Sequence, residues 1–172
     1  AMDVQVTITT ADEWVVITDG AESAGDIDAD GTLTLPGFAF DVVAGVADQH
    51  VAVFDVEMVD ADGNVWNASF NVVLNAPNFT VVDMVVEDGG NGILESGETA
   101  NLVFTILNDG HEAAPGATGI LDFDHPDVSM GFNGLYELET IEPGGTFTMS
   151  YPVTDSEDAG LGGLLPLTFA VN

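Results

Sequence analysis

The strongest constraint on how this chain folds is an alternation of apolar with polar or small residues along most of its length. A period of two places one side of a β-strand against a core and leaves the other side in water. No window of about 12 residues shows the 3.6-residue period of an amphipathic helix. We therefore predict an all-β protein with little or no helix. The clearest predicted strands are residues 4–9, 50–60, 79–87 and 99–109.

Glycine-rich turn signals separate these runs at short intervals. They include "DADG" at Asp28, "DADGN" at Asp60, "GGNG" at Gly89, "NDG" at Asn108 and "EPGG" at Glu142. Aspartate followed by glycine between two alternating runs is typical of a β-hairpin. Short strands joined by such turns indicate antiparallel β-sandwiches.

A domain boundary is predicted at Asn75-Ala76-Pro77, where a proline interrupts what would otherwise be one long strand pattern. Each side has about the size of one immunoglobulin-like sandwich of about 100 residues. We therefore expect two tandem immunoglobulin-like antiparallel β-sandwich domains, at residues 1–75 and 76–172.

An internal repeat supports two related modules. The segment "DIDADGTLTL" at Asp26 aligns with "TIEPGGTFTM" at Thr140, at an offset of 114 residues. After a one-residue shift, "FAFDVV" faces "YPVTDS" and "VFDVEMV" faces "PLTFAVN". Self-similarity at a fixed spacing is the signature of repeated structural units.

Each module lacks something that the other contains. The first has no counterpart of residues 79–115, so it lacks the first strands of the repeat, and the second has no counterpart of the hairpin at residues 60–74. We interpret the chain as a part of a longer repeat array. The expected partners are other domains of the parent protein, or neighbouring copies that complete the exposed sheet edges by strand pairing.

The charge composition excludes several classes of partner. The chain has 30 Asp and Glu, no Lys or Arg, and a net charge of -30. With 46% hydrophobic residues it still has enough apolar surface to form a core. Binding to nucleic acid or to an anionic membrane needs positive charge, so neither is expected. Two hypotheses explain the composition: resistance to proteases that cut after Lys and Arg, and adaptation to a saline habitat.

The acidic loop "EDGGNGILESGE" at residues 87–98 is the best candidate for a cation site. Aligning Gly92 with the central glycine of an EF-hand loop makes Asn91, the Ile93 carbonyl, Glu95 and Glu98 calcium ligands, and Asp88 can swing in as a further one. Such a calcium ion would be structural. In the alternative interpretation, the glycines supply left-handed backbone while Glu95 and Glu98 bond free N–H groups.

Other candidate metal sites are weaker. The segment "DIDADGTL" at Asp26 resembles the front half of a calcium loop, but Gly37 stands where the closing glutamate belongs, so a β-turn is expected instead. The three histidines, His50, His111 and His125, lie far apart in the sequence. A transition-metal site would require folding to bring them together.

No catalytic residue is predicted. The serines lie in no nucleophile-elbow context, and no basic side chain exists to stabilise an oxyanion or a phosphate. Trp14 and Trp66 lie in strand-like runs, where core packing is the expected role. The alternative is that they stack on carbohydrate.

The segment "APNFTVVDMVVEDGGNGILESGETANLVFTILNDGHEAAPGATGIL" resembles the immunoglobulin-like repeat of large secreted bacterial proteins, including gingipain-like and subtilisin-like peptidases. The resemblance is carried mainly by the loop at residues 87–98, which is one residue shorter than the commonest form. It implies an extracellular or cell-surface β-sandwich module without catalytic activity, acting as a structural, adhesion or interaction element. The alternative is a substrate- or carbohydrate-binding accessory domain of a secreted hydrolase.

Overall fold

The computed structural model describes residues 1–158 and 165–171, and this part of the chain contains thirteen β-strands and no helix. The predicted all-β antiparallel fold is therefore confirmed. The strands are β1 (Val4–Thr9), β2 (Val15–Asp19), β3 (Ala21–Gly25), β4 (Ala39–Val42), β5 (His50–Val59), β6 (Val65–Leu74), β7 (Phe79–Glu87), β8 (Thr99–Asn108), β9 (Thr118–Asp122), β10 (Val128–Met130), β11 (Leu135–Glu137), β12 (Thr146–Asp155) and β13 (Thr168–Val171).

Strand β8 shows why alternation predicted these elements. Ala100, Leu102, Phe104 and Ile106 are buried, and the residues between them are half-buried. Successive side chains of a strand point to opposite faces of its sheet, so this pattern fixes which face meets the core. Strands β1, β5, β7 and β8 lie where the alternation placed them.

Contacts divide the chain into two compact units, Ala1–Ala76 (unit 1) and Pro77–Asn172 (unit 2). In unit 1, a sheet of order β3-β1-β5-β6 packs against the pair β2-β4. Its core includes Ile8, Val15, Ala52 and Phe54. These residues come from both sheets, so unit 1 is a sandwich of four strands against two.

Unit 2 contains a sheet of order β10-β12-β8-β7 and a sheet of order β11-β9-β13. Its core joins residues of both sheets, including Ile106, Leu121 and Met149. Aromatic side chains bridge the two sheets, since Phe104 of β8 stacks on Phe169 of β13 with ring centroids 4.9 Å apart. Unit 2 is therefore a sandwich of four strands against three.

The strand pairings show that the two units share one pattern. Adding 113 to the residue numbers turns the β1–β5 pair Ile8 and Val56 into the β9–β13 pair Leu121 and Phe169. The same shift turns the β2–β4 pairing into the β10–β12 pairing. Strand β13 is therefore the counterpart of β5, and β4 is the counterpart of the second half of β12.

The aligned segments at Asp26 and Thr140 nevertheless differ in structure. Residues 146–149 begin β12, whereas residues 32–35 form no strand, so the repeat does not extend to secondary structure there. The first half of β12 pairs with β8, beginning with Thr146 opposite Leu107. Unit 1 has no counterpart of β8, so residues 32–35 lack a strand to pair with.

One fully buried polar side chain, Asn108 at the end of β8, joins three parts of unit 2. Its Oδ1 accepts from the backbone N–H groups of Asn78 and Gly110, each at 3.1 Å. Its Nδ2 donates to the carbonyl oxygens of Glu112 and Ile141, each at 2.9 Å. All four hydrogen bonds that the amide can make are formed, so burial leaves none of its polar atoms unsatisfied.

Replacing this amide with an isosteric carboxylate tests its role. In Asn108→Asp, a buried negative charge would face the two carbonyl oxygens that now accept from Nδ2, and we expect a loss of unfolding free energy of about 3 kcal/mol or more. Urea denaturation measures this loss. The control Asn101→Asp adds the same charge to the half-buried face of β8, opposite Glu87, where we expect a loss below about 1 kcal/mol. Equal losses in the two variants would contradict the assignment.

Candidate functional site

The acidic loop between β7 and β8 is organised by the side chain of Asp88. Its carboxylate accepts hydrogen bonds from the backbone N–H groups of Gly90 at 2.7 Å, Asn91 at 3.2 Å and Gly92 at 3.1 Å. These bonds, led by the one from Gly90, hold the pKa of Asp88 below its usual value. Gly89 and Gly92 have φ angles of 79° and 77°, which other residues rarely adopt.

The second half of the loop is closed by its own polar side chains. Oδ1 of Asn91 accepts from the Ile93 N–H at 2.9 Å. Oε2 of Glu98 accepts from the Glu95 N–H at 3.0 Å, and Oε1 of Glu95 lies 3.5 Å from Asn91 Nδ2. These bonds fix the turn that leads into β8.

Contacts with the segment after β12 anchor the same loop to the sandwich. Oγ of Ser96 lies 2.9 Å from the carbonyl oxygens of both Ser156 and Glu157, so its one hydroxyl proton can be donated to either. The Gly97 N–H also donates to Ser156 O, at 3.1 Å. The loop therefore joins the ends of three strands of one sheet, β7, β8 and β12.

The five predicted calcium ligands thus lie in one loop, but their side chains serve its backbone. Asp88, Asn91 and Glu98 accept from backbone N–H groups. The alternative interpretation named Glu95 and Glu98 for this role, and it holds for Glu98, whereas Oε1 of Glu95 contacts the Asn91 side chain. Within residues 1–158 and 165–171, no three His, Asp or Glu side chains are placed together to hold a metal ion. Calcium coordination by Asp88, Asn91, the Ile93 carbonyl, Glu95 and Glu98 stays a prediction.

Asp60 performs the same role in the β5–β6 hairpin. It is 9% exposed, and its Oδ1 accepts from the N–H groups of Asp62 at 3.0 Å and Asn64 at 2.9 Å. The Asn64 side chain donates to the same carboxylate and lowers the pKa of Asp60 most. The hairpin turn predicted at "DADGN" is therefore present.

The turn before β2 is held by a third carboxylate, Asp12. Nε2 of His50 lies 2.7 Å from Asp12 Oδ2, and the Trp14 N–H donates to Oδ1 at 2.9 Å. The hydrogen bond with His50 is the main cause of the lowered pKa of Asp12. His50 is thus engaged with a turn carboxylate, while Nδ1 of His125 accepts from the Asp127 N–H at 3.3 Å.

The calcium-like segment at Asp26 forms the β-turn that the sequence favoured. The Gly31 N–H donates to Asp28 O at 3.0 Å, which closes a turn over residues 28–31. Asp30 in this turn has a φ angle of 61°, in the left-handed region that aspartate adopts more readily than most residues.

The buried phenol of Tyr151 belongs to the core of unit 2. The side chain is fully buried, and burial raises its pKa to about 12. Its hydroxyl lies 3.5 Å from the sulfur of Met149. A phenol of this pKa stays protonated at neutral pH, so it packs rather than acting as a base.

Each tryptophan departs from one part of the prediction that both lie in strands and pack in a core: Trp66 does not pack in the core, and Trp14 does not lie in a strand. Trp66 is in β6 but is 45% exposed. Alternation puts it on the same face as Phe70, which stacks on the buried Phe54 with ring centroids 5.1 Å apart. This face of β6 is nevertheless partly open, since Phe70 is itself 43% exposed. Trp14 precedes β2 instead of lying in a strand, and it packs against the core of unit 1.

Sequence reasoning missed two features of unit 2. The first is Asn108, whose "NDG" context indicated only a turn. The second is a groove of about 330 Å³ whose lining includes Phe79 and Val81 of β7 and Phe169 and Val171 of β13. The sequence did contain a signal for the groove, because the second module lacks a counterpart of the hairpin at residues 60–74.

The role of Asp88 predicts a specific pH dependence. Because its folded pKa is lowered, its stabilising contribution is complete above the ordinary aspartate pKa of about 3.9 and is lost as the pH falls through the folded pKa. We expect Asp88→Asn to be less stable than the wild type at neutral pH, with a difference that shrinks in strong acid. Urea denaturation across the pH range measures it. Asp83→Asn, on the exposed part of β7, removes the same charge and should show no such loss.

Comparisons with known proteins identify no family. No protein-family model matches the sequence, and no curated protein matches it. One solved structure, chitinase ChiA74 from Bacillus thuringiensis, aligns with 98% of this chain and 24% of its own length, at 15% identity and a TM-score of 0.28. At this TM-score the likeness does not define a shared fold. The described part of the chain contains no helix long and apolar enough to cross a membrane.

Proposed function

We propose that this chain is a non-catalytic structural and interaction module of a secreted or cell-surface bacterial protein. The main support is the use of its acidic side chains. The carboxylates with shifted pKa values, Asp12, Asp60 and Asp88, each hold a turn, and each pKa is lowered. A general acid at neutral pH needs a raised carboxyl pKa instead.

The strand order supports an immunoglobulin-like assignment for the module. The order β7-β8-β12-β10 in unit 2 corresponds to the A-B-E-D sheet of an immunoglobulin constant-type domain, and β9-β13 to the first two strands of its C-F-G sheet. The loop at residues 87–98 carries the resemblance to repeats of secreted bacterial proteins. Extracellular location and adhesion follow from that resemblance as parts of the proposal.

The charge composition suits an exposed module. Because the chain has no lysine or arginine, it contains no peptide bond that proteases specific for these residues can cleave. Its net charge of -30 opposes non-specific association and attracts cations. Both properties favour persistence outside a cell, next to peptidases or in saline surroundings.

Calcium is the proposed stabilising cation, bound at the loop of residues 87–98. A ligand at 100 times its Kd that binds only the folded state adds about 2.7 kcal/mol of stability. We therefore expect calcium to raise the Tm relative to EDTA at matched ionic strength, measured by calorimetry. Glu98→Gln should lose this increase, whereas Glu57→Gln on β5 should retain it. An unchanged wild-type Tm would eliminate the calcium site.

A carbohydrate-binding accessory domain is the second candidate, because Trp66 is 45% exposed on a β-sheet face. Exposed aromatic rings on such faces are suited to stacking on sugars. The structural proposal predicts no binding on a glycan array, while the accessory-domain alternative predicts binding that is lost in Trp66→Ala. Since Trp66 is half exposed, Trp66→Ala should remain folded by circular dichroism, so a loss of binding would report the site itself.

A further inference from the structure

Strand β6 is an edge strand in the interior of the sequence. It pairs with β5 over its whole length, and among the residues that the structure describes no strand lies on its other side. The chain continues from β6 through residues 75–78 directly into β7. An open edge of 10 residues is therefore part of unit 1 itself.

The backbone of β6 alternates between its partner β5 and this open edge. The carbonyl oxygen of Asn64, just before β6, accepts from the Asp60 N–H at 3.2 Å, so it points toward β5. Val53 is opposite Asn71, and its carbonyl oxygen points away from β6, because it accepts from the Thr10 hydroxyl at 2.7 Å on the β1 side. Backbone groups alternate in direction along an antiparallel strand. The odd-numbered residues of β6 therefore turn their N–H and C=O groups to the open edge.

Strand β6 lacks the features that protect edge strands from pairing with other chains. Charged side chains, prolines and bulges are the usual protection. The edge strands β3 and β7 carry Glu22 and Asp83, whereas the residues of β6, "VWNASFNVVL", include no Asp, Glu or Pro. The pairing of β6 with β5 is also free of register shifts. In a chain with 30 carboxylates, this edge is therefore the kind that can pair without repulsion.

The sequence of β6 is complementary to itself about Ser69. When two copies pair antiparallel with Ser69 opposite Ser69, Asn67 lies opposite Asn71 and Val65 lies opposite Val73. All of these are odd-numbered residues, so each pair exchanges two backbone hydrogen bonds. A shift by two residues in either direction would place a valine opposite an asparagine. The register centred on Ser69 therefore matches like side chains with like.

The same register joins exposed valines into a row across the two copies. On β5 the exposed Val51 precedes the buried Ala52, so Val51 and its partner Val73 lie on the face that points away from the core. Val51, Val65 and Val73 are 48%, 51% and 52% exposed. Since Val65 is opposite Val59, the row runs through Val51 and Val73 of one copy and Val65 and Val59 of the other. Cross-strand pairs of β-branched side chains stabilise sheets, so pairing gives these exposed valines neighbours.

The carboxylates on this face stay apart in such a pairing. Asp55 is opposite Ser69, so the two copies of Asp55 are separated by three strand spacings, or about 14 Å. This separation exceeds the Debye length of about 8 Å at physiological ionic strength. The net charge of -30 on each copy still opposes association when salt is low. The contact should therefore strengthen as salt is raised.

We propose that the open edge of β6 binds β6 of a second copy of this chain, antiparallel and in the register centred on Ser69. The β3-β1-β5-β6 sheets of the two copies then form one continuous sheet. This inference rests on the proposed interaction function and names its partner. A two-fold contact closes on itself, so assembly ends at the dimer. One strand pair is a small interface, so the dimer is weak and depends on concentration.

Sedimentation equilibrium of the full chain, from about 10 μM to about 1 mM, covers the range of such a weak contact. We expect a monomer–dimer equilibrium that is tighter in about 1 M NaCl, where the Debye length is about 3 Å, than in about 0.1 M NaCl, where it is about 10 Å. Asn67→Asp combined with Asn71→Asp puts carboxylates opposite each other in both asparagine pairs. In about 0.1 M NaCl this variant should weaken the dimer about tenfold.

The matched control is Thr146→Asp combined with Ser150→Asp. These two positions are exposed on β12 at the same spacing, so the control adds the same charge to unit 2. We expect it to change the dimer constant by less than about twofold. The substituted positions of both variants are exposed, so both should remain folded by circular dichroism.

Asn67→Lys combined with Asn71→Asp tests the register. It puts opposite charges in both asparagine pairs, so it should form a tighter dimer than Thr146→Lys combined with Ser150→Asp, which has the same net charge. A strict monomer in about 1 M NaCl, where repulsion is screened, would overturn the proposal, as would assemblies larger than a dimer or equal effects of the β6 and β12 variants. A monomer would leave the structural role, which the glycan array tests, unaffected.

Discussion

No positive side chain is available to balance thirty carboxylates, and the architecture of the turns depends on this constraint. Asp12, Asp60 and Asp88 take their hydrogen bonds from backbone N–H groups and from uncharged or titratable side chains. A carboxylate that accepts several N–H bonds is stabilised by them, as the lowered pKa values of Asp60 and Asp88 indicate, whereas the pKa of Asp12 is lowered mainly by its hydrogen bond with His50. Turns have unpaired backbone N–H groups in any fold. Here these N–H groups donate the hydrogen bonds to carboxylates that lysine and arginine side chains would otherwise donate.

The same constraint explains why the interior relies on uncharged groups. A buried carboxylate with no basic partner would carry the full cost of desolvation, whereas an amide can satisfy its own donors and acceptors. Asn108 does this at the point where β8 ends, and the long strands β6 and β8 contain no charged residue. Most of the negative charge therefore lies in turns, loops and exposed strand faces. Asp155 at the end of β12 is an exception, because its Oδ1 is buried without a hydrogen-bond partner.

The sequence predicted the strands well because alternation and turn residues are local signals. It failed where the outcome depended on a distant strand. Residues 32–35 match the start of β12 in pattern, but without a counterpart of β8 they have nothing to pair with. Trp66 has the correct phase for the core, yet its end of the sheet is not covered. In the loop at residues 87–98, the spacing of polar residues identified side chains whose oxygens act as acceptors. Whether these oxygens accept from backbone N–H groups or coordinate a cation depends on the backbone geometry of the loop, which residue spacing does not determine.

The exposed face of β6 and the groove of unit 2 are two consequences of one repeat pattern. Among the residues that the structure describes, unit 1 contains a strand, β6, with no counterpart in unit 2, and unit 2 contains the pair β7-β8 with no counterpart in unit 1. Where β7 and β8 have no counterpart, Trp66 and Phe70 of β6 are 45% and 43% exposed, and where β6 has no counterpart, Val81 of β7 is 46% exposed. Within each sandwich, the apolar surface left open is the one that a counterpart of the missing strands would cover.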